Sequence, residues 1–446
     1  MAGHKCHDLA DDWTVVTPSE LAMISACRSI VSHNPSLDLP GSQKERRFMS
    51  YFYDQSVPDL SGCFNSSFWN RLVLQIGRRE PAIHHALVAL SAAHENFKLK
   101  QIPEEAESRD SNYRFSMQQY NKAIQYLSGH LTSGNGKWGA EVALICCVVF
   151  ICYESIQGNL ELALAHLESG LGILRNWRKD TNPSSSQGNE IMGKDILINV
   201  FLRLEIQASG FLKTRKPQLE MLTAGVDSSV KPPISAVLRN IDEARDHQEK
   251  LTVWLFRFLA LNAKYKSVPP AERPAAVTLE HMELETQFQL FSVGIEGLLE
   301  KSLNALDYRA ATVLKIRYHV TFIMLATSSP ALPVPQPKPR DLSSHYRALI
   351  SMSDSLLRKP KSKAISLSPS FSFDANVVAP LYFTAMNCPD SSMCQEALYL
   401  LKVSPRREGL FDAATVAQIA EKKIAISNDE ACFIVPLKRE ESPIKL

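Results

Sequence analysis

From Arg46 to about residue 425, the apolar side chains of this chain recur at three- and four-residue steps, and no convincing run of strict alternation interrupts them. A period near 3.6 residues places such side chains on one face of a helix, whereas a half-buried strand needs a period of two. That single feature confines the chain to packed helices. The expected fold class is all-α, either an irregular multi-helix bundle or a superhelical array of helix pairs.

The stretch FWNRLVLQIGRREPAIHHALVALSAAHE, residues 68–95, shows the pattern well. Pro81 suits the first turn of a helix, where its missing N–H costs no hydrogen bond. Ile83, Ala86, Leu87, Leu90, Ala93 and Phe97 then line one face. Residues 111–131 repeat the device through Phe115, Tyr120, Ala123, Ile124 and Leu127. A helix over 139–156 follows, then a QGN turn at 157–159 and LELALAHLESGLGILRNW. TNPSSSQGN, 181–189, is a loop by its Pro, Ser, Gly and Asn content. Further helices are expected at 200–212, 241–266, 278–300 and 307–326, the last with a stripe of Ala311, Leu314, Tyr318, Phe322 and Leu325. PALPVPQPKPR, 330–340, is a proline-rich connector of polyproline II character. Near the end, Ser392 and Gln395 have capping-box spacing, and Asp412 is an expected N-cap with Phe411 and Val416 as a hydrophobic staple. The reading gives a weakly ordered arm over 1–45, a helical domain over 46–425 and a tail over 426–446.

Length alone allows two or three domains or one extended helical array. A net charge of +2 on 446 residues does not mark the chain as a whole for nucleic acid or an anionic membrane. The nine cysteines form no C-x-x-C pair, so no zinc ribbon or dithiol is read, and Cys146, Cys147 and Cys152 look like buried free thiols of a reducing compartment. The N-terminus lacks the apolar core of a signal peptide. The longest apolar run, VALICCVVFICY at 142–153 between Glu141 and Glu154, is too short by itself to span a bilayer. The expected location is the cytoplasm or nucleus.

Candidate chemistry is thin. His84 and His85 are adjacent, so on a helix they point about 100° apart and do not share a metal easily; no His-Glu-x-x-His occurs, and core or surface histidines are the plainer reading. SGNGKWG, 133–139, misses the phosphate-loop spacing because Leu131 stands where the first glycine belongs and Trp138 follows the lysine. Asp11 and Asp12 lack the third aspartate of a magnesium motif. Cys146 and Cys147 have no basic neighbour in sequence to lower a thiol pKa. No catalytic residue, metal ligand or cofactor is expected. The basic run Arg358, Lys359, Lys361 and Lys363 suits nuclear import or a phosphate contact, the bland alternative being a solvated loop after a helix. Arg406–Arg407 carries the same ambiguity.

Five regions in order resemble the regulatory region of fungal zinc-cluster transcription factors: residues 68–95 with QYNKAIQYL at 119–127, ALAHLESGLGIL at 163–174, FLRLEIQAS at 201–209, FDANVVAPLYFTAMNC at 373–388, and SPRREGLFDAATVAQIAE at 404–421. The resemblance covers roughly 46–425. It implies a nuclear transcription regulator, of a kind many of whose members control secondary-metabolite gene clusters, meeting other transcription proteins and a small-molecule inducer of unknown type. The family usually carries six cysteines in an N-terminal zinc cluster, and before residue 46 this sequence has only Cys6 and Cys27. Lys5, Arg28 and Lys44 do not form a basic helix in its place, so contact with DNA is expected to be indirect or weak, through a partner. No membrane partner is expected. A helical-repeat adaptor is the alternative reading, although no fixed 34-residue period is found; an all-α enzyme with unmarked residues is the third.

Overall fold

The computed structural model describes residues 41–101, 105–132, 136–179, 193–211, 218, 236–265, 268–269, 272–328, 341–358 and 369–429. Helices dominate them. Helix α1 (Gln43–Tyr51) starts inside the expected arm, because Ser42 and Glu45 close a reciprocal capping box. A π-helical turn (Phe52–Ser56) leads into α2 (Val57–Ser61), and a second (Phe68–Leu72) into α3 (Val73–Gly77). Then follow α4 (Pro81–Lys98), α5 (Ala106–Thr132), α6 (Gly136–Gln157), α7 (Leu160–Lys179) and α8 (Lys194–Phe211). The later half comprises α9 (Ile241–Leu261), α10 (Ala275–Leu299), α11 (Ala305–Ser328), α12 (Ser343–Leu357), α13 (Val378–Asn387), α14 (Ser391–Val403) and α15 (Ala413–Asp429).

Two hydrophobic cores organise these helices. The first gathers α1 to α8 around α4 and α6. Pro81 occupies the first turn of α4, and the six apolar residues expected on one face are all buried. Ala82, His84, Val88, Ala89, Ser91, Ala92 and His94 are buried as well, so α4 is enclosed on nearly every side. Helix α6 is 22 residues long, longer than its apolar run, and by length and composition it is able to cross a bilayer. Protein covers 89% of its most apolar window, as in the central helix of a packed core. Its thiols fit that position: burial drives Cys146 and Cys152 well above the usual thiol value and Cys147 up to about 12. Gly170 lets α7 and α8 cross closely, since a Cβ there would strike the ring of Phe201.

The second core holds α9 to α15, with the predicted stripe of α11 wholly buried. Asp412 caps α15 by accepting the Thr415 N–H at 3.2 Å, and Phe411 and Val416 lie in the same core. Other expectations shift. Ile124 is exposed, because α5 packs through a narrower face than its periodicity implies. Helix α14 begins at Ser391 under Asp390, whose carboxylate accepts the N–H groups of Ser392 and Met393; the upstream aspartate takes the capping role from Ser392.

A three-stranded sheet was not expected. Strand β1 (Ser370–Ser372) pairs in parallel with β2 (Arg406–Glu408), which pairs antiparallel with β3 (Phe411–Asp412). Gly409, with φ +55°, turns β2 into β3 where a side chain would collide with Gln207 of α8 and the Phe373 carbonyl. The sheet therefore clips the C-terminal half of the chain onto the first core. Phe371, Phe373 and Leu410 belong to that first core, and the adjoining Val377 and Phe411 to the second.

Candidate functional site

Where the two cores meet, α8, α9, α11 and α13 diverge around a cavity of about 470 Å³. Ile206, Phe256, Val320, Met324, Phe383 and Met386 form much of its apolar wall. Its floor is ionic. Asp374, in the loop between β1 and α13, receives the Arg245 Nη2 at 2.7 Å and lies 3.7 Å from Arg203 Nε. Glu249 pairs with Arg245 at 3.0 Å and Arg203 at 3.2 Å. Arg317 donates from Nη2 and Nε to the Ala375 carbonyl at 2.9 and 3.2 Å. The Arg245 and Arg317 guanidiniums also lie over the ring of Phe64, at 4.4 and 5.3 Å.

Each charge is explained by its neighbours. Burial raises the Asp374 carboxyl, but Arg245, Arg203 and Arg317 outweigh it and hold the group below the ordinary aspartate range. Burial works against the charge of Arg245, yet Asp374 and Glu249 hold its pKa above the usual arginine value. For Arg317 burial prevails over the attraction of Asp374, and the repulsion of Arg245 adds to it, so its pKa falls below the usual value. Next to the floor, the Glu408 carboxylate accepts three successive N–H groups, of Asn376, Val377 and Val378, at 2.7, 2.7 and 2.9 Å. That cradle fixes the start of α13 and thereby the position of Asp374.

Among the described residues, none of those singled out from the sequence for chemistry lines this cavity. Arg358 sits at the end of α12, paired with Asp354 at 2.6 Å. Lys359, Lys361 and Lys363 lie outside the described residues, as do Asp11, Asp12 and the first three residues of SGNGKWG. His84 is buried with burial lowering its pKa, whereas His85 meets the Gln119 Oε1 at 2.6 Å and stacks on Tyr126. Among the described residues no group of three or more His, Cys, Asp and Glu side chains is arranged to hold a metal ion. Arg406 and Arg407 are not a solvated basic patch. Arg407 donates to the Ser155 and Ile156 carbonyls at the end of α6 and pairs with Asp412 at 3.1 Å, while Arg406 pairs with Glu408.

Sequence reading named none of the cavity's ionic residues. The available signal was local: Arg203 inside VFLRLEIQASGFL, two residues before Glu205, and Arg317 beside the apolar stripe of α11, two residues after Lys315, are charges set among apolar neighbours, and such charges rarely enter a core unpaired.

The sequence matches the family model described as fungal specific transcription factor domain over residues 47–355. It is 26% identical over 250 residues to the aspercryptin biosynthesis cluster-specific transcription regulator atnN of Emericella nidulans, which covers 56% of this chain and 37% of that protein. It is 27% identical over 146 residues to the transcription regulator lscL of Purpureocillium lilacinum, covering 32% of this chain and 33% of that protein. The chain thus spans about a third of the length of these curated relatives. No solved structure matches it. With a family match that takes in more than half of its residues, the chain belongs to the fungal-specific transcription factor domain family.

Proposed function

We propose that this chain is a nuclear transcription regulator that governs a biosynthetic gene cluster through its helical domain. The family match across residues 47–355 carries the reading, since it takes in most of the first core, all but Phe371, Phe373 and Leu410, and the helices α9 to α11 of the second. The cluster-specific role is supported by the likeness to the Emericella nidulans relative, a cluster-specific transcription regulator. With a net charge of +2, the chain offers little nonspecific attraction to DNA, so other transcription proteins serve as its route to promoters.

Chromatin occupancy of a tagged full chain in its native host tests this. Discrete promoter peaks, lost when a partner factor is deleted, are the expected result. Absence of enrichment under conditions that switch the cluster on would overturn it and favour an adaptor role away from chromatin.

A further inference from the structure

We propose that the cavity between the two cores binds an organic monocarboxylate with an apolar body. Its volume, about 470 Å³, suits a small organic ligand. The lining contributes two guanidiniums, Arg203 and Arg317, and two carboxylates, Asp374 and Glu249, and Arg245, off the lining but paired to both carboxylates, brings the guanidiniums to three. One positive charge is left over beside an apolar wall, where an unbalanced charge is costly.

Hydrogen bonding points the same way. Arg203 Nε is buried without a hydrogen-bond partner among the described residues, at 3.7 Å from the Asp374 Oδ1. Among the described residues Arg317 donates to neutral acceptors only, the Ala375 carbonyl and, at 3.5 Å, Asn376 Oδ1. Both line the cavity, and a planar carboxylate fits the donor fork of a guanidinium. A single negative charge neutralises the surplus, whereas a dianion such as a phosphate monoester reverses it. An inorganic anion would leave Ile206, Phe256, Val320 and Met324 without a partner. Gln248, 2% exposed, also lines the cavity and holds its Oε1 unpaired among the described residues, which leaves an acceptor for a ligand O–H or N–H.

Calorimetric titration of the full chain with decanoate, decan-1-ol, decyltrimethylammonium and inorganic phosphate, each below its micelle concentration, tests the assignment. Decanoate is expected to bind at least about tenfold more tightly than decan-1-ol, and the other two not measurably. Arg203→Gln should weaken decanoate about tenfold to a hundredfold and leave decan-1-ol within about twofold. Val320→Trp, which fills the cavity, should abolish binding of both. Thermal unfolding without ligand verifies that each variant is folded; if Arg203→Gln is not, the preference of the unaltered chain for decanoate and its loss in Val320→Trp decide the matter. Equal affinity for acid and alcohol, preference for the ammonium, binding that survives Val320→Trp, or no binding at all would each overturn the proposal. The assay needs no promoter, so its failure is separate from failure of the transcriptional reading.

Discussion

Replacing Asp374 by asparagine keeps the shape of the side chain and removes its charge. In the native protein this carboxylate takes a 2.7 Å hydrogen bond from Arg245 and faces Arg203 at 3.7 Å, with only 8% of the side chain exposed. Without it, Arg203 and Arg245 keep Glu249 as their carboxylate partner among the described residues, and Arg317 loses the carboxylate that favours its charge. Breaking a buried pair by removing one partner costs roughly 3–5 kcal/mol, because the remaining charge stays buried and unpaired. Stability of a folded domain is typically about 5–15 kcal/mol, so the loss should be visible in urea titration followed by tryptophan fluorescence and circular dichroism. The pH dependence gives an independent readout. Since the arginines hold the folded carboxyl below its unfolded value of about 3.9, its contribution is complete above that pH and fades as pH falls toward the folded value. Asp374→Asn should therefore be destabilised most at neutral pH and lose less on acidification than the unaltered chain. Combining it with Arg245→Gln should reveal a coupling of about 0.5–3 kcal/mol. A loss below about 1 kcal/mol at neutral pH, with acid limbs that superimpose, would refute the reasoning.

Four further outcomes are expected. Gly409→Ala should cost about 1–3 kcal/mol, because the position combines φ +55° with no room beside Gln207; an unchanged melting temperature would contradict that. Arg407→Ala should cost about 1.5–3 kcal/mol by uncapping α6, and lysine should not rescue it, since one ammonium cannot reproduce the fork that reaches both carbonyls and Asp412. Mass spectrometry after iodoacetamide treatment at pH 8 should find Cys146, Cys147 and Cys152 unmodified in the folded protein and modified after unfolding; equal labelling in both states would sink the buried-thiol account. His319, pushed down to about 3 by burial, His345 and Lys315, should stay neutral in NMR spectra from pH 7 to 5; its contribution to stability, full above about pH 6.5, should be lost between there and pH 3, and His319→Gln should flatten that slope.

The helical character of the chain was legible because its signals are local. Pro81 with the face from Ile83 to Phe97, the α11 stripe and the Asp412 cap each depend on residues a few positions apart. Ser392 misled because two capping residues compete within three positions, and Asp390 has the carboxylate that reaches the first free N–H groups. Ile124 misled because periodicity tells which residues share a face, not how wide a neighbour covers it. The sheet left no mark, since strands of two or three residues are too short to alternate detectably. The cavity floor was illegible for another reason. Arg245 and Asp374 are 129 residues apart, and no local pattern announces a pairing at that separation.

The grip of Arg407 on Ser155 joins positions 252 residues apart. At a synthesis rate of about 5–20 residues per second, the carboxyl end of α6 leaves the ribosome roughly ten to fifty seconds before the guanidinium that closes it. During that interval the nascent first core displays an open apolar seam where Phe371, Phe373 and Leu410 will later insert. Completion of the first core thus waits on the last part of the chain, and any truncation before residue 370 would remove three of its side chains.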